Sequence, residues 1–250
     1  MLSRKLLTKT LCGILISIAT STLPGCERGG TGNDEGIRKS GSGGVPVASL
    51  PVASRSSSPA SRFTYVVDAG NDRILVHKVD PATGQSGGSS SAAKGSTPGL
   101  VTIHPSGKFA YVANDFSDQV SAYAIDPKTG ELTRVGAPVA TGLTPKGITI
   151  HPSGRFAYVA NLSSGDVSVY AVDATTGALA PVGPPVAAGA TPVSVSIDPN
   201  GRIAYVTNFN AADESAFAID PGTGELTALG TTRAGGGNPF SAETARGGAR

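Results

Sequence analysis

From about residue 63 onward the chain alternates short apolar runs with clusters of Pro, Gly, Asn and Thr. Gly147-Ile148-Thr149-Ile150, Phe156-Ala157-Tyr158-Val159-Ala160 and Val167-Ser168-Val169-Tyr170-Ala171-Val172 are typical runs. They are too short for stable helices and rich in β-branched and aromatic residues, so they predict strands. Apolar residues are not confined to alternate positions, which implies sheets covered on both faces. The Pro-Ser-Gly and Thr-Thr-Gly clusters between runs supply the fixed φ of Pro and the positive φ that Gly tolerates, as tight reversals between antiparallel neighbours require.

The pattern repeats. Tyr111-Val112-Ala113-Asn114 returns as Tyr158-Val159-Ala160-Asn161 and as Tyr205-Val206-Thr207-Asn208, 47 residues apart each time, with a weaker copy at Tyr65. Each copy follows a Thr-Pro (Thr97-Pro98, Thr144-Pro145, Thr191-Pro192) and then His104-Pro105-Ser106-Gly107, His151-Pro152-Ser153-Gly154 or Asp198-Pro199-Asn200-Gly201. Each precedes a second turn: Asp126 to Gly130, Asp173 to Gly177 or Asp220 to Gly224. A period of this size with internal turns denotes stacked supersecondary units, none of which buries its apolar faces alone. Four strands per unit make it a blade of a β-propeller. The fourth run, Leu179-Ala180-Pro181-Val182 onward, holds prolines that cannot donate to a central ladder, which places it at the outer edge. The Gly-rich tract at 87–95 reads as a linker between blades.

The Tyr-Val-Thr-Asn at 205–208, the His-Pro-Ser-Gly turns and the Asp-Pro-x-Thr-Gly-x-Leu turns resemble the YVTN-repeat, lactonase-type seven-bladed propellers, which include 6-phosphogluconolactonase-like proteins. The resemblance covers 63–241 and implies an all-β fold with no metal or organic cofactor. Seven blades need roughly 330 residues. The expectation here is about four blades: one without a recognisable first strand, three complete, and the opening of a fifth at Gly237-Asn238-Pro239-Phe240-Ser241. That is a partial, open propeller ending in an irregular tail at 242–250. It exposes apolar end faces and so favours self-association, two chains completing one ring being an alternative to truncation.

Residues 1–25 read as an export signal: Arg4, Lys5 and Lys9 precede an apolar stretch too short to favour a spanning helix. The sequence Leu23-Pro24-Gly25-Cys26 resembles a bacterial lipobox, which would make Cys26 a lipidation site and the protein a membrane-anchored lipoprotein of the cell envelope. Residues 26–62, rich in Gly, Ser and Pro, read as a flexible tether. Both cysteines, Cys12 and Cys26, precede the repeats, so the repeats hold neither a disulfide nor a thiol nucleophile. The net charge of +2 comes from the first 62 residues, since residues 63–250 carry twelve Lys and Arg against fifteen acids. A mildly acidic repeat region lacks the basic stripe of a nucleic-acid binder.

Chemistry is sparse. His104 and His151 share with Asp198 a short polar side chain able to bond its own turn. His77 aligns with Tyr123, Tyr170 and Phe217 and reads as core, while Asn114, Asn161 and Asn208 end second strands where they can satisfy loop backbone. No three histidines have metal-ligand spacing. No nucleophile elbow, phosphate loop or zinc-protease signature follows a suitable strand. The residues that break the repeat are the better site candidates. Glu214 stands where Ile74, Val120 and Val167 stand, Asp115 where Leu162 and Phe209 do, and Lys146 where Gly99 and Val193 do. All three are expected near the face shared by second-to-third-strand loops and blade-to-blade loops. Two functions follow: a binding or scaffolding module at the envelope, its partner a small molecule or an envelope protein, or, from the resemblance alone, a lactone hydrolase.

Overall fold

The computed structural model describes residues 62–80, 82–94, 98–233 and 239. The export signal, Cys26, all of the tether except Arg62, and the tail at 242–250 lie outside the described residues. What is described is all-β, apart from one short 3-10 turn, and falls into four antiparallel sheets in chain order. Blade I holds β1 (Arg62–Asp68), β2 (Arg73–Val79) and β3 (Ser86–Lys94). Blade II holds β4 (Pro98–Ile103), β5 (Phe109–Asn114), β6 (Gln119–Ile125) and β7 (Leu132–Ala140). Blade III holds β8 (Pro145–Ile150), β9 (Phe156–Asn161), β10 (Asp166–Val172), β11 (Leu179–Pro181) and β12 (Val186–Ala187). Blade IV holds β13 (Pro192–Ile197), β14 (Ile203–Asn208), β15 (Asp213–Ile219) and β16 (Leu226–Arg233).

Most of the strand reading holds, with two corrections. The Gly-rich tract is not a linker: it is β3, the outer strand of blade I, paired along the length of β2. Its small residues suit an edge that needs backbone donors more than side-chain packing. Arg62, assigned to the tether, already opens β1 opposite Val79. The proline-rich run of blade III is the outer strand expected. Pro184 and Pro185 part it into β11 and β12, both paired to β10.

The core lies between the sheets. Phe109, Tyr111, Ala113 and Val120 of blade II pack on Ile148, Ala157, Val159 and Tyr170 of blade III. One step on, Phe156, Tyr158, Ala160 and Val167 pack on Val195, Ala204, Val206 and Phe217. Strand alternation sends odd and even positions to opposite neighbours, which is why β5 and β9 are buried at every residue.

The sequence repeats are the fastenings of these seams. Tyr65, Tyr111 and Tyr158 donate their hydroxyls to the carbonyls of Gly130, Gly177 and Gly224 in the following blade, at 2.8, 3.0 and 2.9 Å. Those glycines have φ of 76°, 76° and 79°, and a Cβ on any of them would strike the ring of Phe63, Phe109 or Phe156. The Asp that opens each turn holds it: Asp126 Oδ1 accepts the amides of Lys128 and Thr129 at 2.7 and 2.9 Å. These amides, Thr129 first, lower the Asp126 carboxyl pKa. The histidines do more than bond their own turns. His104 Nδ1 accepts the Ser106 amide, so Nε2 carries the proton and donates to the Gly154 carbonyl of the next blade at 2.8 Å. His151 does the same to Gly201. Asp198, in the same place on blade IV, caps its own turn by accepting the amides of Arg202 and Ile203.

Candidate functional site

One rim of the sheets gathers the second-to-third-strand loops and the loops that lead into each blade. Thr144 N donates to Asp118 Oδ1 of blade II at 2.7 Å, and Thr144 Oγ1 meets Ser163 Oγ of its own blade at 2.8 Å. Thr144 and its counterpart Thr191 sit at φ 57° and 58°. That conformation costs a β-branched residue about 1–2 kcal/mol, and the loops on either side hold it.

Two of the three repeat-breaking residues meet on this rim. Asp115 follows β5, Lys146 is the second residue of β8, and Lys146 Nζ pairs with Asp115 Oδ2 across the seam between blades II and III. Room for the carboxylate comes from Gly99, the counterpart of Lys146 in blade II, because a Cβ there would collide with Asp115 Oδ1. Among the described residues Asp115 Oδ1 is buried without a hydrogen-bond partner, as are Asn114 Oδ1 at the end of β5 and Ser117 Oγ in the loop. An acceptor left unmet in a buried place costs about 1–3 kcal/mol, so this loop presents open acceptor capacity beside a cation. Chemically, the carboxylate can accept a proton from a hydroxyl or a water, and the ammonium can donate to a carbonyl or carboxylate oxygen.

Glu214 is not there. It lies on β15 in blade IV, registered between Thr207 and Thr232 on a side of the sheet turned away from blade III. Strand periodicity separates it from the pair: its counterparts Val120 and Val167 pack into the seam that follows their own blade, so Glu214 faces the far side of blade IV.

The asparagines have a different job from the one expected. Asn161 Nδ2 donates to Ser168 Oγ and Asp166 Oδ1, and Asn208 Nδ2 to Ser215 Oγ and Asp213 Oδ1, bracing the strand ends through side chains and not through loop backbone. His77, read as core, is only half-buried because its face of blade I meets no further described sheet.

A residue the sequence reading passed over completes the rim. Phe116, next to Asp115, is 85% exposed where the repeat has Ser163 and Asn210, and Leu143 is 55% exposed beside Thr144. An aromatic in a loop position otherwise held by Ser and Asn was the available signal. Elsewhere, a cleft of about 200 Å³ between blades II and III is lined by Thr141, Ser168, Tyr170 and Pro185 and brings no charged side chain. Tyr170 seals one wall by donating to the Ala140 carbonyl at 2.5 Å, and burial pushes its hydroxyl up to about 12. Among the described residues no three His, Cys, Asp or Glu side chains gather as metal ligands, and no helix is long and apolar enough to cross a membrane.

Blades of this length, joined by Tyr-to-Gly fastenings, with a rim of short loops at one end, define a repeat propeller. The chain belongs to the lactonase, seven-bladed β-propeller family, whose model matches residues 52–243. No curated protein matches it. Among solved structures it is similar to a candidate 6-phosphogluconolactonase from Bacteroides uniformis, with 25% identity and a TM-score of 0.65 over 74% of this chain and 55% of the other. A protein from Lactobacillus plantarum gives 26% identity and a TM-score of 0.62 over 69% of this chain and 52% of that one. A periplasmic gluconolactonase from Pseudomonas aeruginosa shares the fold at 24% identity and a TM-score of 0.64, over 74% and 54%. The chain therefore spans about half the length of these solved relatives.

Proposed function

We propose that this chain is a ligand-binding propeller of the cell envelope, and that its ligand is a small polyhydroxylated carboxylic acid or its lactone, taken at the rim where Asp115, Lys146 and Phe116 come together. The observation that carries the reading is the ion pair built from two residues that break the repeat, with Asp115 Oδ1 buried and unpartnered among the described residues. Such an oxygen accepts from a sugar hydroxyl, Lys146 donates to a ring carbonyl or carboxylate, and the exposed Phe116 ring offers a face for the C–H side of the ligand. Calorimetry of the full chain with glucono-δ-lactone and with gluconate tests it. Asp115→Asn and Lys146→Ala are each expected to weaken binding by about tenfold or more, the cost of one charge-assisted hydrogen bond. Equal affinity in both variants would remove the site.

Membership of the lactonase family favours a second reading, hydrolysis of that lactone, with Asp115 drawing a proton from water and Lys146 holding the developing oxyanion. Lactone opening no faster than in buffer would leave binding as the whole activity. Loss of an observed rate on Lys146→Ala, with Glu214→Gln unchanged, would fix hydrolysis at the rim. Envelope location rests on the leader and on Cys26. Cys26→Ser is expected to release the protein from the membrane fraction, and unchanged partitioning would point to a different anchor.

A further inference from the structure

Lys146 lies on blade III and Asp115 on blade II, so the distance between them is set by whatever ties the two blades together at the rim. The loop that carries Leu143 and Thr144 into β8 is fastened to its own blade: Leu162 N donates to the Thr144 carbonyl at 2.9 Å, Ser163 N to the Leu143 carbonyl at 3.1 Å and Leu143 N to Ser164 Oγ at 3.0 Å. Those bonds fix Lys146 relative to blade III and leave its approach to Asp115 open. Across the seam Lys146 is flanked on both sides. Two residues after it the Ile148 carbonyl accepts the Thr102 hydroxyl at 2.7 Å, and two residues before it Thr144 N donates to Asp118 Oδ1 at 2.7 Å.

The Thr102 bond belongs to the repeat, since Thr149 makes it to the Val195 carbonyl one seam on. The Asp118 bond is not carried to that seam. Asp118 holds the left-handed turn position that Asp72, Gly165 and Ala212 also hold, with φ of 53°, 51°, 73° and 52°, a conformation that aspartate tolerates. Gly165 keeps the backbone half of the contact: its carbonyl accepts Ala188 N at 3.0 Å, as the Asp118 carbonyl accepts Thr141 N at 2.9 Å. It has no carboxylate for Thr191, and at the same seam Phe209 and Val193 stand where Asp115 and Lys146 do. Between Thr144 and Lys146 the chain passes through Pro145 alone, whose ring fixes φ, so a restraint on the Thr144 amide reaches the Lys146 backbone with little slack. Asp115 and Asp118 are the first and last residues of the loop between β5 and β6. One loop thus grips the neighbouring blade at two residues, Lys146 through the first carboxylate and Thr144 through the second.

We propose that Asp118 is a positioning residue of the rim site: by accepting the Thr144 amide across the seam, its carboxylate holds Lys146 against Asp115 and keeps both groups where one ligand meets them together. The effect on ligand affinity rests on the rim reading above, whereas the effect on the Asp115–Lys146 pair does not. What Asp118 supplies is an acceptor oxygen at a fixed place, because the Thr144 amide is a neutral donor and Lys146 already has Asp115. Asparagine tolerates left-handed φ and keeps a side-chain acceptor, so it should serve in place of Asp118. Glycine, the residue of the next seam, keeps the turn and loses the acceptor.

NMR of the full chain in mild detergent, with lysine and threonine isotopically labelled, tests this. The Lys146 ammonium signal, identified by its loss in Lys146→Ala, is expected to be protected from exchange in the wild-type chain and in Asp118→Asn. In Asp118→Gly that protection should fall by about tenfold, and exchange of the Thr144 amide should quicken by about tenfold or more. Gluconate affinity should drop about fivefold in Asp118→Gly and less than about twofold in Asp118→Asn. Circular dichroism and a melt should show Asp118→Gly folded, because Gly165 already serves at that position. Exchange at Lys146 and Thr144 that is the same in Asp118→Gly as in wild type would overturn the proposal whether or not gluconate binds, and so would a loss in Asp118→Asn as large as in Asp118→Gly. A wild-type chain that ignores gluconate while its Lys146 and Thr144 signals respond as expected would strike the rim ligand and leave the positioning role standing.

Discussion

Tyr158 and Tyr205 lie in the same word of the repeat, one on each side of a blade, and their surroundings differ. Tyr158 is fully buried between blades III and IV with its hydroxyl on Gly224. Tyr205 is half-buried on the far side of blade IV, its hydroxyl unpaired among the described residues. Down the strand Ala160 and Val167 fill the enclosed seam, and on the far side their places are taken by Thr207, which is fully buried, and Glu214, which is half-buried. The motif specifies a strand and a turn. What it contributes to stability is set by whether a following blade is present to receive it, as expected of a nearest-neighbour stack. On the far side of blade IV Ile203 and Tyr205 are half-buried, while Thr207 and the Ser196 hydroxyl are buried. Among exposed apolar residues, Leu229 on β16 of blade IV is at 59% and Val66 on blade I at 42%.

The strongest way to break this comparison is at the turn glycines. Gly177→Ala forces a Cβ into the Phe109 ring at a residue with φ 76°, and is expected to cost about 2–4 kcal/mol from strain and overpacking together. Gly84→Ala meets no described atom and carries only the conformational penalty, about 1 kcal/mol. Denaturant melts of the two variants should differ by that margin, and equal losses would mean that the seam contact contributes nothing. Next in size are the tyrosine hydroxyls. Tyr158→Phe leaves the Gly224 carbonyl buried and unmet, at a cost of about 1–3 kcal/mol, whereas Tyr205→Phe should change monomer stability by less than about 0.5 kcal/mol.

A smaller effect should appear with pH. Burial raises Tyr111 from 10.0 to about 12, with the nearby Asp173 charge adding to it, and burial alone raises Tyr65 to about 12 and Tyr158 further. A folded pKa above the unfolded one means stability fully present below about pH 10 and lost as pH rises through about 12. Melting temperature should therefore begin to fall only above about pH 10, and Tyr111→Phe should flatten the decline. The acid side has the opposite sign. Asp126, Asp173 and Asp220, lowered first by the turn amides of Thr129, Thr176 and Thr223, stabilise the fold above about pH 4 and lose that contribution below it.

Blade boundaries and turns were legible because Gly and Pro act through local backbone geometry, which one stretch of sequence carries whole. The proline-broken edge of blade III was readable on the same grounds. Long-range partners were not. Nothing within His104-Pro105-Ser106-Gly107 says that Nε2 reaches Gly154, because that contact depends on how one blade is placed on the next. The site divides the same way: Asp115 and Lys146 showed themselves by breaking the repeat, and geometry then joined them. Glu214 broke it equally and belongs elsewhere, since a strand residue's direction depends on which neighbour its side of the sheet serves. The Gly-rich β3 was misread because its composition is that of a linker, and pairing along β2 outweighs composition.

The forward direction of the fastenings has a further consequence. Tyr65, Tyr111 and Tyr158, and the forward-reaching His104 and His151, engage the blade after their own, and the receiving glycine lies at a fixed offset within that blade. Removing or duplicating one 47-residue unit in frame would thus leave these tyrosines and histidines facing equivalent acceptors, although the Asp115–Lys146 pair is particular to one junction. Repeat number in such a chain can drift by whole units through genetic recombination alone, and the barrier to a changed count lies in closing the ring, not in rebuilding any junction.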